Sequence, residues 1–194
     1  QDEFVESLPN PVAIATTSDD RTDYILHPVT GEMLSLSSIS RLKQLSQAHS
    51  GRFQVQVVIS DGLNALAIME PAQLLPFLTQ LRADLTQRGL RVAPENLIVR
   101  SGRVRAGYRI GETLFGSSPG PQAIVHVIGE RPGTGHRTFS TYITAADGEA
   151  WGKAGTVDHN ITKVVSGIAL TALPPSRAAD QVARLLGQLM DTTG

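Results

Sequence analysis

The chain has 194 residues, 41% of them hydrophobic and 18% charged, which is enough to bury a core and excludes a compositionally disordered chain. Lys and Arg total 17 against 18 Asp and Glu, a net charge of -1, so the basic excess that goes with nucleic-acid binding is missing. The absence of cysteine excludes a disulfide scaffold, a thiolate metal site and a thiol nucleophile, and no apolar run reaches the roughly 18 residues that span a bilayer.

Residues 1–23 are polar and rich in turn formers (Leu8-Pro9-Asn10-Pro11, Thr16-Thr17-Ser18-Asp19-Asp20), with one short apolar stretch at Val12-Ala13-Ile14. They read as an N-terminal arm outside the core, and residues 24–194 as one domain. Gln1-Asp2-Glu3-Phe4 carries neither an initiating Met nor a basic-then-apolar signal pattern, and reads as a processed or excised end of an intracellular chain. From Leu34, apolar residues at Leu36, Ile39, Leu42 and Leu45 recur at helical spacing. Phe53 to Ile59 is short and β-branched, which predicts a buried strand ending in Ser60-Asp61-Gly62. Leu74, Leu78, Leu81 and Leu85 line one helical face before Gly89, although Pro71 and Pro76 cannot both sit comfortably inside that helix.

The pattern repeats further along. Leu97-Ile98-Val99 predicts a strand, Ala106 to Phe115 a weak helix, and Ala123 to Ile128 a third strand ending in Gly129-Glu130-Arg131-Pro132-Gly133. Phe139 to Thr144 and Val164 to Leu170 read as further strands, and Pro174-Pro175 opens a last helix striped with Ala178, Val182, Leu185 and Leu189. Apolar strands alternating with amphipathic helices predict an α/β fold: a mostly parallel, doubly wound (Rossmann-like) sheet with flanking helices, preceded by the arm.

Three strands end with a small residue or glycine beside a charge. In open α/β sheets such ends are where ligands sit, although turn residues of this kind serve ordinary βα loops equally well. Glu130 stands out, because a carboxylate directly after a buried strand can accept hydrogen bonds from ligand amides or hydroxyls. Gly116-Ser117-Ser118-Pro119-Gly120 matches the G-x-S-x-G pattern, but it follows a helix and precedes a strand, the reverse of a nucleophile elbow. Gly133-Thr134-Gly135 lacks the third glycine of a dinucleotide fingerprint. The five histidines include no metal-spaced pair, and His126 reads as a sheet histidine rather than a base. Trp151, the single tryptophan, reads as a lid contact or as a core anchor.

Val55 to Leu63 (VQVVISDGL), Val99 to Glu112 (VRSGRVRAGYRIGE) and Val127 to Gly133 (VIGERPG), in this order and spacing, resemble the small subunit of ethanolamine ammonia-lyase. The resemblance extends from about residue 24 to 190. It implies an adenosylcobalamin-dependent, hetero-oligomeric lyase that converts ethanolamine to acetaldehyde and ammonia. In that family the large TIM-barrel subunit carries the substrate site, and the small subunit closes over the cobalamin at the interface. Transferred by motif, the cofactor contacts fall on Val104 in GRV, on Glu130 in GERPG, and on Asn160. At the last position this chain reads Asp158-His159-Asn160-Ile161-Thr162-Lys163, where the family pattern has a cysteine in place of Asn160. The resemblance implies no catalytic residue and no metal ligand on this chain. It implies a cytoplasmic location, or enclosure in a bacterial microcompartment, with neither nucleic acid nor membrane as partner. A stand-alone small-molecule binding or assembly domain of the same fold, without lyase activity, is the alternative reading.

Overall fold

A computed structural model describes residues 2–130, 137–148, 150–153 and 161–193. Six strands form one sheet: β1 (Pro11–Ala15), β2 (Val55–Ser60), β3 (Val92–Arg100), β4 (Pro121–Gly129), β5 (Phe139–Asp147) and β6 (Thr162–Ile168), in the spatial order β1-β3-β2-β4-β5-β6. The helices are α1 (Asp2–Ser7), α2 (Arg21–Leu26), α3 (Leu36–His49), α4 (Ala65–Ile68), α5 (Pro71–Gln87), α6 (Val104–Phe115), α7 (Ala150–Lys153) and α8 (Pro175–Thr193), with a 3-10 turn at Pro28–Gly31.

The first four strands pair in parallel, as their alternation with helices predicts. Strand β2 lies between β3 and β4, and all six of its residues are buried, the consequence of an apolar run covered on both faces. Strands β5 and β6 pair antiparallel. Only residues 130–138 join β4 to β5, too few for the crossover that a parallel neighbour requires.

Helices cover both faces. On one, α5 and α8 pack Phe77, Leu81, Val182 and Leu186 against Val57, Val125 and Ile143, with Phe77 and Phe139 meeting edge to face at 5.3 Å. On the other, α3 and α6 pack Leu42, Ile110 and Leu114 against Val58, Leu97 and Ile124. Each such side chain, fully buried, contributes roughly 1.5–3 kcal/mol. Pro71 occupies the first turn of α5, where its missing N–H costs nothing, and Pro76 is accommodated inside the helix. Among the described residues no helix is long and apolar enough to cross a membrane.

The segment 1–23, read above as an arm outside the core, is instead joined to it. Pro11–Ala15 pairs with Asn96–Arg100 as an edge strand, and Leu8 and Ile14 are buried. Asn96 secures the entry by donating its amide to the Pro9 carbonyl at 2.6 Å and its backbone N–H to the Asn10 carbonyl at 3.0 Å. The turn-forming residues around a five-residue strand conceal it in the sequence, and its leading proline is tolerated because the strand lies at an edge.

Candidate functional site

The crevice outside the carboxyl ends of β2 and β4, where the chain's crossovers change direction, is the place a ligand would be sought first. Here the protein fills it with its own turn. A Cβ on Gly62, which has a φ of +56°, would lie 2.5 Å from the Gly129 carbonyl oxygen, and one on Gly129 would collide with the carbonyls of Asn64 and Asp61. The Leu63 N–H donates to Gly129 O at 3.2 Å. Glycine serves close packing of two backbones at this point. Burial pushes the Asp61 carboxyl upward, and Arg21 together with the backbone N–H groups of Ser101, Gly102 and Gly62 offsets this in part.

With that crevice closed, Glu130 interacts on the β5 side. Its backbone N–H donates to Thr138 O at 3.0 Å, and its carboxylate Oε1 accepts from the Ser140 hydroxyl. Strand β5 alternates: Phe139, Ile143 and Ala145 enter the core under α8, whereas Ser140, Tyr142 and Thr144 take the opposite face. On that face Tyr142 stands beside His126 of β4 and Val164 of β6, and Thr144 beside Thr162. Helix α6 covers β4 and reaches β6 through Tyr108; on this face Ser140 and Thr144 are buried, Tyr142 is half-buried and Val164 is 48% exposed.

A cavity of about 390 Å³ results, lined among others by Arg103, Val104, Tyr108, Tyr142, Thr162 and Val164. Its floor carries a chain of hydroxyls, with Tyr108 Oη 3.0 Å from Thr162 Oγ1 and Thr162 Oγ1 3.1 Å from Thr144 Oγ1. Burial raises the Tyr142 phenol above its ordinary value, and the charge of Glu130 adds to the effect, so the group remains an O–H donor.

Val104 owes its position to several neighbours. It opens α6, whose entry is held by Arg103: the Arg103 backbone N–H donates to Gly31 O at 2.9 Å, its guanidinium donates to Tyr24 O at 2.7 Å, and the same group stacks 4.6 Å over the Tyr24 ring. Arg21 ties the same segment to the β2 turn through the Gly62 and Leu63 carbonyls at 2.7 and 2.8 Å. Beneath α6, Gly107 lets the helix rest on the His126 imidazole. Burial lowers His126 to about 3, the backbone of Val104 offsetting it only in part, so the ring is neutral, with Nε2 2.6 Å from Ser60 Oγ. This pair has the atoms of a nucleophile and a base, but both residues are sealed from solvent and no substrate reaches them. Their role is to tie β2 to β4 beneath α6.

Of the three residues transferred from the family, Val104 lines the cavity, whereas Glu130 is not among its lining residues and meets the same face of β5 through Ser140, two positions before Tyr142. Asn160 lies outside the described residues, although Thr162, two positions on, lines the cavity. Sequence reasoning missed Tyr108, Tyr142 and Thr162; the alternation of Ser140, Tyr142 and Thr144 against the core-facing Phe139, Ile143 and Ala145 is the signal that could have marked a polar sheet face. Ser118 sits in the loop between α6 and β4, at the amino end of β4 and away from the site. Trp151 is a core anchor, fully buried against Gly111 and Phe115. A further apolar cavity of about 360 Å³, over β1 and β3, includes neither Val104 nor Glu130. Among the described residues no group of three or more His, Asp or Glu is placed to hold a metal ion.

The sequence model of the family described as "Ethanolamine ammonia-lyase light chain" matches residues 1–194. A protein of Pseudomonas syringae pv. tomato named ethanolamine ammonia-lyase small subunit is 32% identical over 176 residues, covering 90% of this chain and 56% of the relative. One of the same name from Pseudomonas putida KT2440 is also 32% identical over 176 residues, covering 90% of this chain and 60% of the relative. Another from Pseudomonas fluorescens Pf0-1 is 39% identical over 114 residues, covering 59% of this chain and 39% of the relative. The chain therefore matches between about two fifths and three fifths of the length of these relatives.

Proposed function

The chain belongs to the ethanolamine ammonia-lyase light-chain family, and from that premise we propose that it acts as the small subunit of an adenosylcobalamin-dependent lyase. The complex would convert ethanolamine to acetaldehyde and ammonia, with the substrate held by a large barrel subunit and the cobalamin between the two. The observation that carries this reading is convergence. Val104 lines one hydroxyl-bearing cavity together with Tyr142 and Thr162, and Glu130, from a different strand-to-loop junction, meets the same face of β5 through Ser140.

The residues present fit the group. Cobalamin displays carboxamides and hydroxyls around its rim, and this region offers a carboxylate acceptor and a phenol donor. A cavity of about 390 Å³ is far too small for a whole corrinoid, so it would take one edge and leave the rest to a partner. Among the described residues, five of the eight exposed large apolar side chains (Ile25, Leu26, Val29, Met33 and Leu36) fall in one segment, which also carries the cavity residue Glu32. That concentration supports a partner-covered face beside the ligand.

The bound cofactor would supply the organic radical that begins the chemistry. This chain's own residues bind and orient: Val104 presents an apolar contact at the start of α6, Glu130 accepts hydrogen bonds, and the α6 edge shields the ligand from water. None of them transfers a proton in this scheme.

The test is Glu130→Gln in the chain co-expressed with its large subunit. Glutamine retains a carbonyl acceptor for Ser140, so the loop is preserved, whereas the charged acceptor is lost. A hydrogen bond to a charged group is worth about 1.5–3 kcal/mol, so cobalamin retention should fall about ten- to a hundredfold. Unchanged affinity with a lowered melting temperature would show that Glu130 only shapes its turn. A chain that stays monodisperse beside the large subunit and never retains cobalamin would favour the stand-alone binding domain.

A further inference from the structure

We infer that the buried Ser60–His126 pair is the seat of α6, fixing how far the first turns of that helix stand from the sheet and thereby positioning Val104 at the cavity. The inference rests on the cobalamin reading above and deepens it by naming the residues that place one of its contacts.

Val104 lies between two glycines, in the run Gly102-Arg103-Val104-Arg105-Ala106-Gly107. Each glycine rests against one member of the pair. A Cβ on Gly102 would collide with Ser60 Oγ and come 3.1 Å from Ser60 Cβ, and one on Gly107 would lie 2.7 Å from His126 Nδ1. Ser60 and His126 are both buried and meet at 2.6 Å between Oγ and Nε2. They stand on β2 and β4, which pair in the middle of the sheet, so neither can give way easily. A glycine inside a helix weakens it; at position 107 its missing side chain is what brings the α6 backbone down onto the imidazole.

From the other side Arg103 holds the helix entry to Gly31 and Tyr24. The start of α6 is thus gripped between an outer latch and an inner support, and the thickness of the support sets its height. Val104 and Tyr108, one turn apart on α6, both line the cavity, whereas neither Ser60 nor His126 does. The pair touches no ligand and moves no proton. It acts through Val104, as positioning residues do.

The experiment uses the complex of this chain with its large subunit, with hydroxocobalamin binding followed by absorbance and the melting temperature measured on the same sample. Gly107→Ala should lift α6 and lower affinity about three- to thirtyfold, the range for losing part of one buried valine contact. Adding His126→Gln should bring affinity back to within about threefold of the unaltered complex, because the glutamine amide replaces Nε2 beside Ser60 and leaves the Nδ1 position empty. On a Val104→Ala background, Gly107→Ala should cost less than about twofold more, since the contact it displaces is already gone. Gly111→Ala, one turn further along α6, meets Trp151 instead, so it should lower the melting temperature and leave affinity unchanged. Ser60→Ala adds no atom and so cannot clash; it frees the imidazole and should lower affinity about two- to tenfold, which decides the matter if Gly107→Ala does not assemble. Unchanged affinity in Gly107→Ala or Ser60→Ala overturns the seat while leaving cobalamin binding intact. So does a loss that His126→Gln does not relieve, one that persists in full without Val104, or an equal loss in Gly111→Ala. An unaltered complex that fails to bind hydroxocobalamin overturns the cobalamin reading itself, and the seat with it.

Discussion

Gly111→Ala places a methyl group where α6 meets Trp151. A Cβ there would lie 2.9 Å from the indole Cδ2 and collide with Cε3 and Cζ3. Trp151 is 1% exposed and has Phe115 beside it, with ring centroids 6.0 Å apart, and the free space it borders is a cavity of about 100 Å³. Overpacking of this kind costs about 1–3 kcal/mol, and the better helix propensity of alanine returns about 1 kcal/mol. With rigid ring atoms as the obstacle the cost lies toward the upper end, which leaves a net loss of about 1–2 kcal/mol. For a domain of this size that lowers the melting temperature by roughly 2–8 °C. Because Trp151 is the only tryptophan, its emission reports the displacement directly and should shift to longer wavelength as the ring moves. Gly187→Ala in α8 is the internal control: nothing lies within 4 Å of its Cβ. That variant should gain about 0.5–1 kcal/mol and leave the emission unchanged. The two helical glycines are thus predicted to respond with opposite signs. A Gly111→Ala protein as stable as the unaltered one, with the same emission maximum, would refute the packing argument.

Two further outcomes follow from the site. His126 is lowered from 6.5 to about 3 by burial, so the unfolded chain takes up a proton that the folded chain refuses. The stability of its neutral form is complete above about pH 6.5 and is lost as pH falls toward 3, with a slope of up to about 1.4 kcal/mol per pH unit. Urea midpoints measured from pH 7 to pH 4 should therefore fall less steeply for His126→Gln than for the unaltered chain, and parallel slopes would count against a buried neutral ring. Ser118→Ala should change turnover of the assembled complex by less than about tenfold, since the residue lies at the amino end of β4; a larger loss, above roughly 1.4 kcal/mol, would restore a nucleophilic role.

The parts of the fold that were legible are those in which burial writes itself into the side chains. Strand β2 is covered on both faces and reads as an apolar run, and α8 buries one stripe and shows it. Strand β1 was concealed because an edge strand with a single deeply buried residue, Ile14, needs little apolar sequence. The reversal at β5 is invisible in the strand's own residues, because direction is set by the length of the connection before it. The same division runs through the site. Glu130 and Val104 are accessible from strand ends and motif, but the glycines around them fit a ligand crevice and an ordinary βα turn equally well. Gly62 and Gly129 instead bring two backbones together and close the crevice between β2 and β4, and Glu130 is engaged at β5. Tyr142 escaped notice for a complementary reason. Polar alternation along Phe139–Asp147 is what any strand with one polar face displays, and only the placement of α6, whose Tyr108 reaches Thr162 of β6, makes the half-buried Tyr142 part of a cavity wall. The cavity beside Val104 is a product of sheet order: two antiparallel strands extend the sheet beyond the last crossover helix, and they bring Tyr142 and Thr162 to its wall.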